Sequence, residues 1–289
     1  MTGLIKTHNG GRGDQQGGVI GPLPVSDARI FCLDEAHFAA FRDCCTRRSA
    51  VTSINVTEGK SPRDWYSGGR SNKPEANLHK FNQKLNRARL ISMQADKNIR
   101  TLELCIAILA WGGMHGSNRD HLFRRSITPW LQVAQSIRDG LLDRRQAFAS
   151  FAELNRTREL VGMGPAYYTK LIYFLMPRNS SNSIGYIMDQ WAGCSVNLMC
   201  QQDILRIDDT VTWISHKKSV IRRVSSRVSP LNAHEQYEQF CQVIEFIAAN
   251  LGSDWTPDSV ELALMSKGGA RPEEWRSYVV QNRLIRLGS

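Results

Sequence analysis

Asp189 and Lys170 are the two side chains whose type and setting could do chemistry. Asp189 is an isolated carboxylate in Ile187-Met188-Asp189-Gln190-Trp191, at a predicted helix start. A carboxylate so placed can stabilise developing positive charge, or act as a general base toward water or an amine. Lys170 sits in a helix predicted to begin at Pro165, and a lysine amine that has lost its proton is a nucleophile. Upstream runs Leu160-Val161-Gly162-Met163-Gly164-Pro165, in which two glycines one residue apart separate helical stretches. Glycines 162 and 164 allow positive φ and a close approach of backbone to a ligand, and Pro165 fits a first helical turn. The N–H groups around Met163, Gly164 and Ala166 would then face outward at a helix N-terminus, which attracts phosphate. Leu160 staples the turn, and Leu171, Phe174 and Leu175 anchor the second helix. The plainer reading is an αα-hairpin with a glycine stop, with Asp189 as a simple helix cap.

The elements that must position these residues are helices. Asp34 can cap a helix over 35–48, with Phe38, Phe41 and Cys45 on one stripe. Helices are predicted over 75–95, 98–111, 119–126, 128–139, 143–159 and 165–176, and from 189 onward. The segment 232–250 is amphipathic, burying Tyr237, Phe240, Val243, Ile244 and Ile247, and shorter helices fall at 256–266 and 272–284. Thr57 to Pro74 reads as loop because Gly59, Pro62, Gly68, Gly69 and Pro74 interrupt it; Trp65 and Tyr66 are large aromatics within it. A glycine-rich connection follows Trp111. The segment 203–215 is ambiguous, no run of alternating strands stands out, and the class is mainly α. Residues 1–25 hold a dense run of glycines and read as a flexible lead-in to a domain over 26–289, whose hairpin and candidate catalytic segment span about 143–200.

Lysine and arginine exceed aspartate and glutamate by ten in the 289-residue chain, with a pI near 9.5. This balance favours a polyanionic partner, nucleic acid or an anionic membrane surface. The pairs Arg47-Arg48, Arg124-Arg125, Arg144-Arg145, Lys217-Lys218 and Arg222-Arg223 are spread along the chain rather than gathered in a tail, which allows one assembled surface. The seven cysteines lack regular spacing and several lie in apolar runs, as packing residues of a reduced, cytoplasmic protein do. No stretch reaches the ~20 apolar residues of a membrane span, no secretory leader opens the chain, and no zinc pattern is present.

The stretch 160–191 resembles the helix-hairpin-helix DNA glycosylase superfamily, and within it the 8-oxoguanine-glycosylase-like fold. Members share a Leu-x-Gly-Val-Gly hairpin followed by a catalytic aspartate. The resemblance implies two helical subdomains flanking a DNA-binding cleft, a hairpin gripping the backbone through Gly162, Met163, Gly164 and Ala166, and a nucleotide flipped into a pocket. It implies Asp189 as the catalytic carboxylate, acting on the oxocarbenium character that develops as an N-glycosidic bond breaks. In bifunctional members the nucleophilic lysine lies two residues after the second glycine, a position held here by Ala166. Lys170 is one helical turn further on the same face, from where it could deliver an amine to the same cleft or bind phosphate. An extruded base must be stacked and its gap filled, for which Trp65, Tyr66, Trp111, His115, Asn118 and Trp191 are candidates, with Arg119, Arg124 and Arg125 for phosphate. The four-cysteine pattern of the iron–sulfur cluster in endonuclease III relatives is absent, so no cofactor is expected, although the family allows a monovalent cation at the hairpin.

The implied partner is double-stranded DNA with a modified base, without a membrane or an obligate protein partner. Two substrates follow from resemblance: an oxidised purine, as in 8-oxoguanine repair, and glucosylated hydroxymethylcytosine in phage DNA, as in antiviral glycosylases of similar size. The second is favoured by the departure at Ala166 and by the long polar loop at 57–75, which would open the site to a sugar. A non-catalytic helix-hairpin-helix DNA-binding protein is the alternative of another class, and a helical RNA-contacting protein is the remoter one.

Overall fold

The computed structural model describes residues 31–47, 57–68, 73–178, 183–216, 219–267, 271–283 and 285. The expected lead-in over 1–25 lies outside them. The residues from Phe31 onward form one compact unit, mainly helical as the sequence leads one to expect.

Its centre is α4 (Thr101–Trp111), in which every residue is buried. A helix apolar all round has no solvent face to offer, so neighbours must close over it. They are α2 (Pro62–Ser67), α3 (Arg87–Gln94), α6 (Thr128–Arg138) and α8 (Pro165–Leu175). α7 (Arg144–Arg156) joins α6 and α8 on the outside, and α5 (Gly116–Arg124) follows the glycine connection after α4. A second group consists of α9 (Gln190–Cys200), α10 (His234–Leu251), α11 (Pro257–Met265), α12 (Glu274–Asn282) and α1 (Glu35–Thr46). The groups meet where α10 packs on α7, and a single apolar core runs through both. α10 buries Tyr237, Phe240, Val243, Ile244 and Ile247, as its periodicity predicts. Asp34 caps α1, its carboxylate accepting from His37 N at 2.9 Å.

Three expectations are corrected. The segment 57–74 is not loop throughout: Ser61 caps α2 with its hydroxyl, Pro62 occupies the first turn, and Trp65 and Tyr66 are buried. Two of the punctuating residues, Pro62 and Gly68, fall at the ends of this short helix, where they start and stop it. The helix expected over 75–95 is confined to Arg87–Gln94, preceded by a short β2 (Leu85–Asn86) paired with β1 (Thr57–Glu58). The ambiguous segment becomes a two-stranded ribbon of β3 (Ile207–His216) and β4 (Ser219–Val228), antiparallel with Ile207 opposite Val228 and Trp213 opposite Arg222. Its β-branched residues suit strands, but its outer half faces solvent on both sides, so the usual in–out alternation is missing.

A buried ion pair spans the two groups inside the core. Arg87 donates to Glu261 at 2.5 Å, with both side chains almost fully buried. Arg87 also bonds the Tyr173 hydroxyl at 3.3 Å and lies 4.6 Å from that ring's centre. Burial lifts the Glu261 carboxyl to about 7, against the pull of the guanidinium. Removing one partner of such a pair strands a charge in apolar surroundings. Arg87→Met should therefore lower unfolding stability by about 3–5 kcal/mol in urea at neutral pH, and adding Glu261→Leu should recover most of that loss.

Candidate active site

The turn between α7 and α8 is shaped from within. Asn155 of α7 donates its side-chain amide to the carbonyls of Leu160 and Met163, at 3.3 and 3.1 Å. Those carbonyls therefore face inward. Among the described residues no acceptor engages the N–H groups of Met163, Gly164 and Ala166, and a first helical turn leaves such groups without partners inside the helix. The two glycines differ in role. Gly162 has φ +89° and packs so closely on α5 that an added Cβ would lie 2.3 Å from the Asn118 carbonyl oxygen. Gly164 has φ −86° and does not use the positive φ that glycine allows, and an added Cβ would meet nothing within 4 Å. Gly162 is thus required by the fold, while Gly164 keeps the helix start bare. The side chains of Leu160 and Met163 are buried and anchor the turn.

Lys170 is buried along its stem. An added Cβ at Gly112 would lie 2.7 Å from Lys170 Cδ, so this glycine makes the room. The ammonium reaches back one turn and donates to the Ala166 carbonyl at 2.8 Å, following the N-terminal tilt of helical side chains. It lies 5.3 Å from the centre of the Tyr167 ring. Burial raises the Tyr167 hydroxyl pKa, opposed by hydrogen bonds from the His115 backbone and the Asn118 side chain. His115 is exposed and caps α5 with its ring nitrogen.

Asp189 is half-buried and caps α9 with one oxygen: Oδ1 accepts from Trp191 N and Ala192 N, both at 2.8 Å. The extended segment before it is tied down at alternate residues. Arg144 donates to Ile184 O at 2.9 Å, Tyr237 to Tyr186 O at 3.0 Å, and Met188 N to the Thr169 hydroxyl at 3.1 Å. The last bond couples the residue before Asp189 to the residue before Lys170. Gly185 is needed here, because an added Cβ would lie 2.4 Å from the Tyr237 hydroxyl. Arg276 of α12 covers Trp191, its guanidinium 3.9 Å from the ring centre. Burial lowers the Arg276 pKa to about 10, and the Asp189 carboxylate is the foremost charge opposing that fall. Neither Asn155 nor Arg276 carries a signal in the sequence beyond its residue type.

Other candidates take structural places. Trp65 is 2% exposed and donates to Met114 O at 2.8 Å, and the Tyr66 hydroxyl bonds Pro74 O at 2.6 Å. Both rings pack against Phe123. Trp111 packs edge-on against Phe174, with ring centres 4.9 Å apart. Its indole N–H is buried without a partner among the described residues, as are Arg87 Nε and Nη2 and Glu261 Oε1. Arg119 is buried and donates to Trp65 O and Asp120 rather than facing phosphate. Arg144 likewise leaves the expected basic surface, since Glu238 and Glu245 bind it inside. Arg124 and Arg125 remain exposed. Among the described residues no cluster of His, Cys, Asp and Glu could hold a metal ion, and no helix is long and apolar enough to cross a membrane.

A family model described as "Putative 8-oxoguanine DNA glycosylase OGG-like protein" matches residues 53–265. That span includes the turn, Lys170, Asp189 and both ribbon strands. Neither the curated proteins nor the solved structures contain a match.

The two glycines should separate in a stability measurement. Gly162→Ala combines a left-handed backbone with a carbonyl clash and should lose about 1–3 kcal/mol or more. Gly164→Ala should stay within about 1 kcal/mol of the parent, since its backbone suits any residue. Chemical unfolding of both variants tests this, and equal losses would contradict the assigned roles.

Proposed function

The chain belongs to the OGG-like family of DNA glycosylases, and on that premise we propose that it removes an oxidised purine from double-stranded DNA. The observation that carries the mechanism is the Lys170 ammonium at the Ala166 carbonyl. Ala166 holds the position that the resemblance reserves for a nucleophilic lysine, and Lys170 brings an amine back to it. In this reading the bare N–H groups at the start of α8 hold a backbone phosphate beside the extruded nucleotide. The neutral Lys170 amine attacks the anomeric carbon, the bond to the base breaks, and the base departs with the electron pair. Asp189 stabilises positive charge on the sugar and accepts the proton released by the amine. The sugar ring then opens: the C1′–O4′ bond breaks, O4′ takes the proton held by Asp189, and the nitrogen lone pair forms the C=N bond of a Schiff base, which water hydrolyses to free the lysine.

The family supports the oxidised-purine substrate over glucosylated hydroxymethylcytosine. The open polar loop that favoured the glucosylated base is interrupted by α2, and its aromatic residues are in the core.

Asp189→Asn tests the reading cleanly, because asparagine is also a good cap. Its unfolding should match the parent to within about 1 kcal/mol, while base release from an 8-oxoguanine duplex should fall at least about 100-fold. Glucosylated phage DNA serves as the comparison substrate, and release from it alone would reverse the substrate assignment. Borohydride should trap a covalent adduct with the parent and none with Lys170→Ala. An adduct that survives in Lys170→Ala would exclude this lysine as nucleophile. Tight DNA binding with no Asp189-dependent base release would make the protein a non-catalytic binder.

A further inference from the structure

The β3–β4 ribbon has no part in the chemistry above, yet it is rooted beside it. Gln190, the residue after Asp189, lies between Ser226 O of β4 and the Trp191 indole; with its amide oriented to suit both, it donates to the first and accepts from the second at 2.8 Å. Gly193 of α9 lies so close to the root of β3 that an added Cβ would be 3.0 Å from Ile207 Cδ1. The acidic residues of the ribbon are all at this root and are engaged there. Asp209 meets Arg283 at 3.2 Å, and Asp208 meets Arg206 and Arg227 at 3.5 and 3.6 Å.

Beyond the root the character changes. From Thr210 to Val228 the chain has five lysines and arginines and no aspartate or glutamate. One face runs from buried Val228 and half-buried Ile207 at the root, through half-buried Val211 and Val224, to Trp213 and Val220 at 68% and 66% exposure. Among the seven tryptophans Trp213 alone is exposed. Core packing does not account for an apolar face that continues into solvent on a strongly basic arm, and the charge selects a polyanion as the cover. A two-stranded ribbon fits the major groove of a duplex, about 12 Å wide. The outer six residues of each strand extend about 20 Å.

We propose that the ribbon is a second DNA-binding element, which clasps the duplex flanking the nucleotide presented to Asp189. Arg223 contacts phosphate and Trp213 makes the apolar contact in the groove. The proposal rests on the glycosylase reading for the location of the reacting nucleotide, but not for the contact itself.

The test uses the full chain and a labelled, unmodified duplex. Trp213→Ala should weaken binding about tenfold. Arg223→Ser should weaken it across all sequences and flatten the dependence of log affinity on log salt by about one unit. In the unaltered protein, duplex DNA should slow tryptic cleavage after Arg223, a readout that does not depend on any variant folding. Unchanged affinity and salt slope in both variants, or no protection from trypsin, would overturn the proposal. So would dissociation of a dimer by Trp213→Ala with DNA affinity intact, or a loss confined to single-stranded RNA. Asp189-dependent base release measured alongside keeps the two readings apart. If it is absent while the ribbon variants lose DNA affinity, the arm stands without the enzyme; if it is present while they bind normally, the enzyme stands without the arm.

Discussion

Burial of α8 on every side is the constraint from which the candidate site follows. Every residue from Tyr168 to Leu175 is buried, Lys170 least completely. A helix so enclosed can carry polar groups only where each finds a partner, because an unmet one costs more than its bond returns. Thr169 finds Pro165 and Met188, Lys170 finds Ala166, and Tyr173 finds Asp258. Each pairing fixes a neighbour: the segment leading to Asp189, the first turn of the helix, and the N-terminal turn of α11. The geometry beside Asp189 is therefore set by the demands of a core rather than by a loop free to vary.

Most helices were legible because their apolar spacing and caps agree. Asp34, Asp143 and Asp189 each stand immediately before a helix and accept from its first N–H groups. Pro165 likewise marks the start of α8. The glycine pair was legible as a turn but not as two different requirements. Gly162 answers to the carbonyl of Asn118, which is distant in sequence, so no local rule could distinguish it from Gly164. Trp65 and Tyr66 misled for a related reason. Proline and glycine on both sides made the segment look open, whereas Ser61 and Pro62 start a short helix that delivers both rings to Phe123.

Charge was the least readable quantity. Arg87, Arg119 and Arg144 are spent inside the molecule, paired with carboxylates or backbone carbonyls. The net charge of +10 therefore says little about a partner until the buried cations and their partners are set aside. What remains outside includes Arg124 and Arg125 after α5 and Arg223 and Arg227 on the ribbon. Sequence reading could count these residues. It could not sort them, since burial is decided by elements far apart in the chain.

Asp189 spends both of its capping bonds on Oδ1. A carboxylate fastened through one oxygen cannot swivel freely about its bond to Cβ, so the direction of its other oxygen is settled before any ligand arrives. Solvent dipoles around an untethered carboxylate must rearrange as a cation forms nearby, and that rearrangement is part of an ordinary barrier in water. Here the helix has done the orienting during folding, so the reaction proposed for Asp189 would need little further reorganisation.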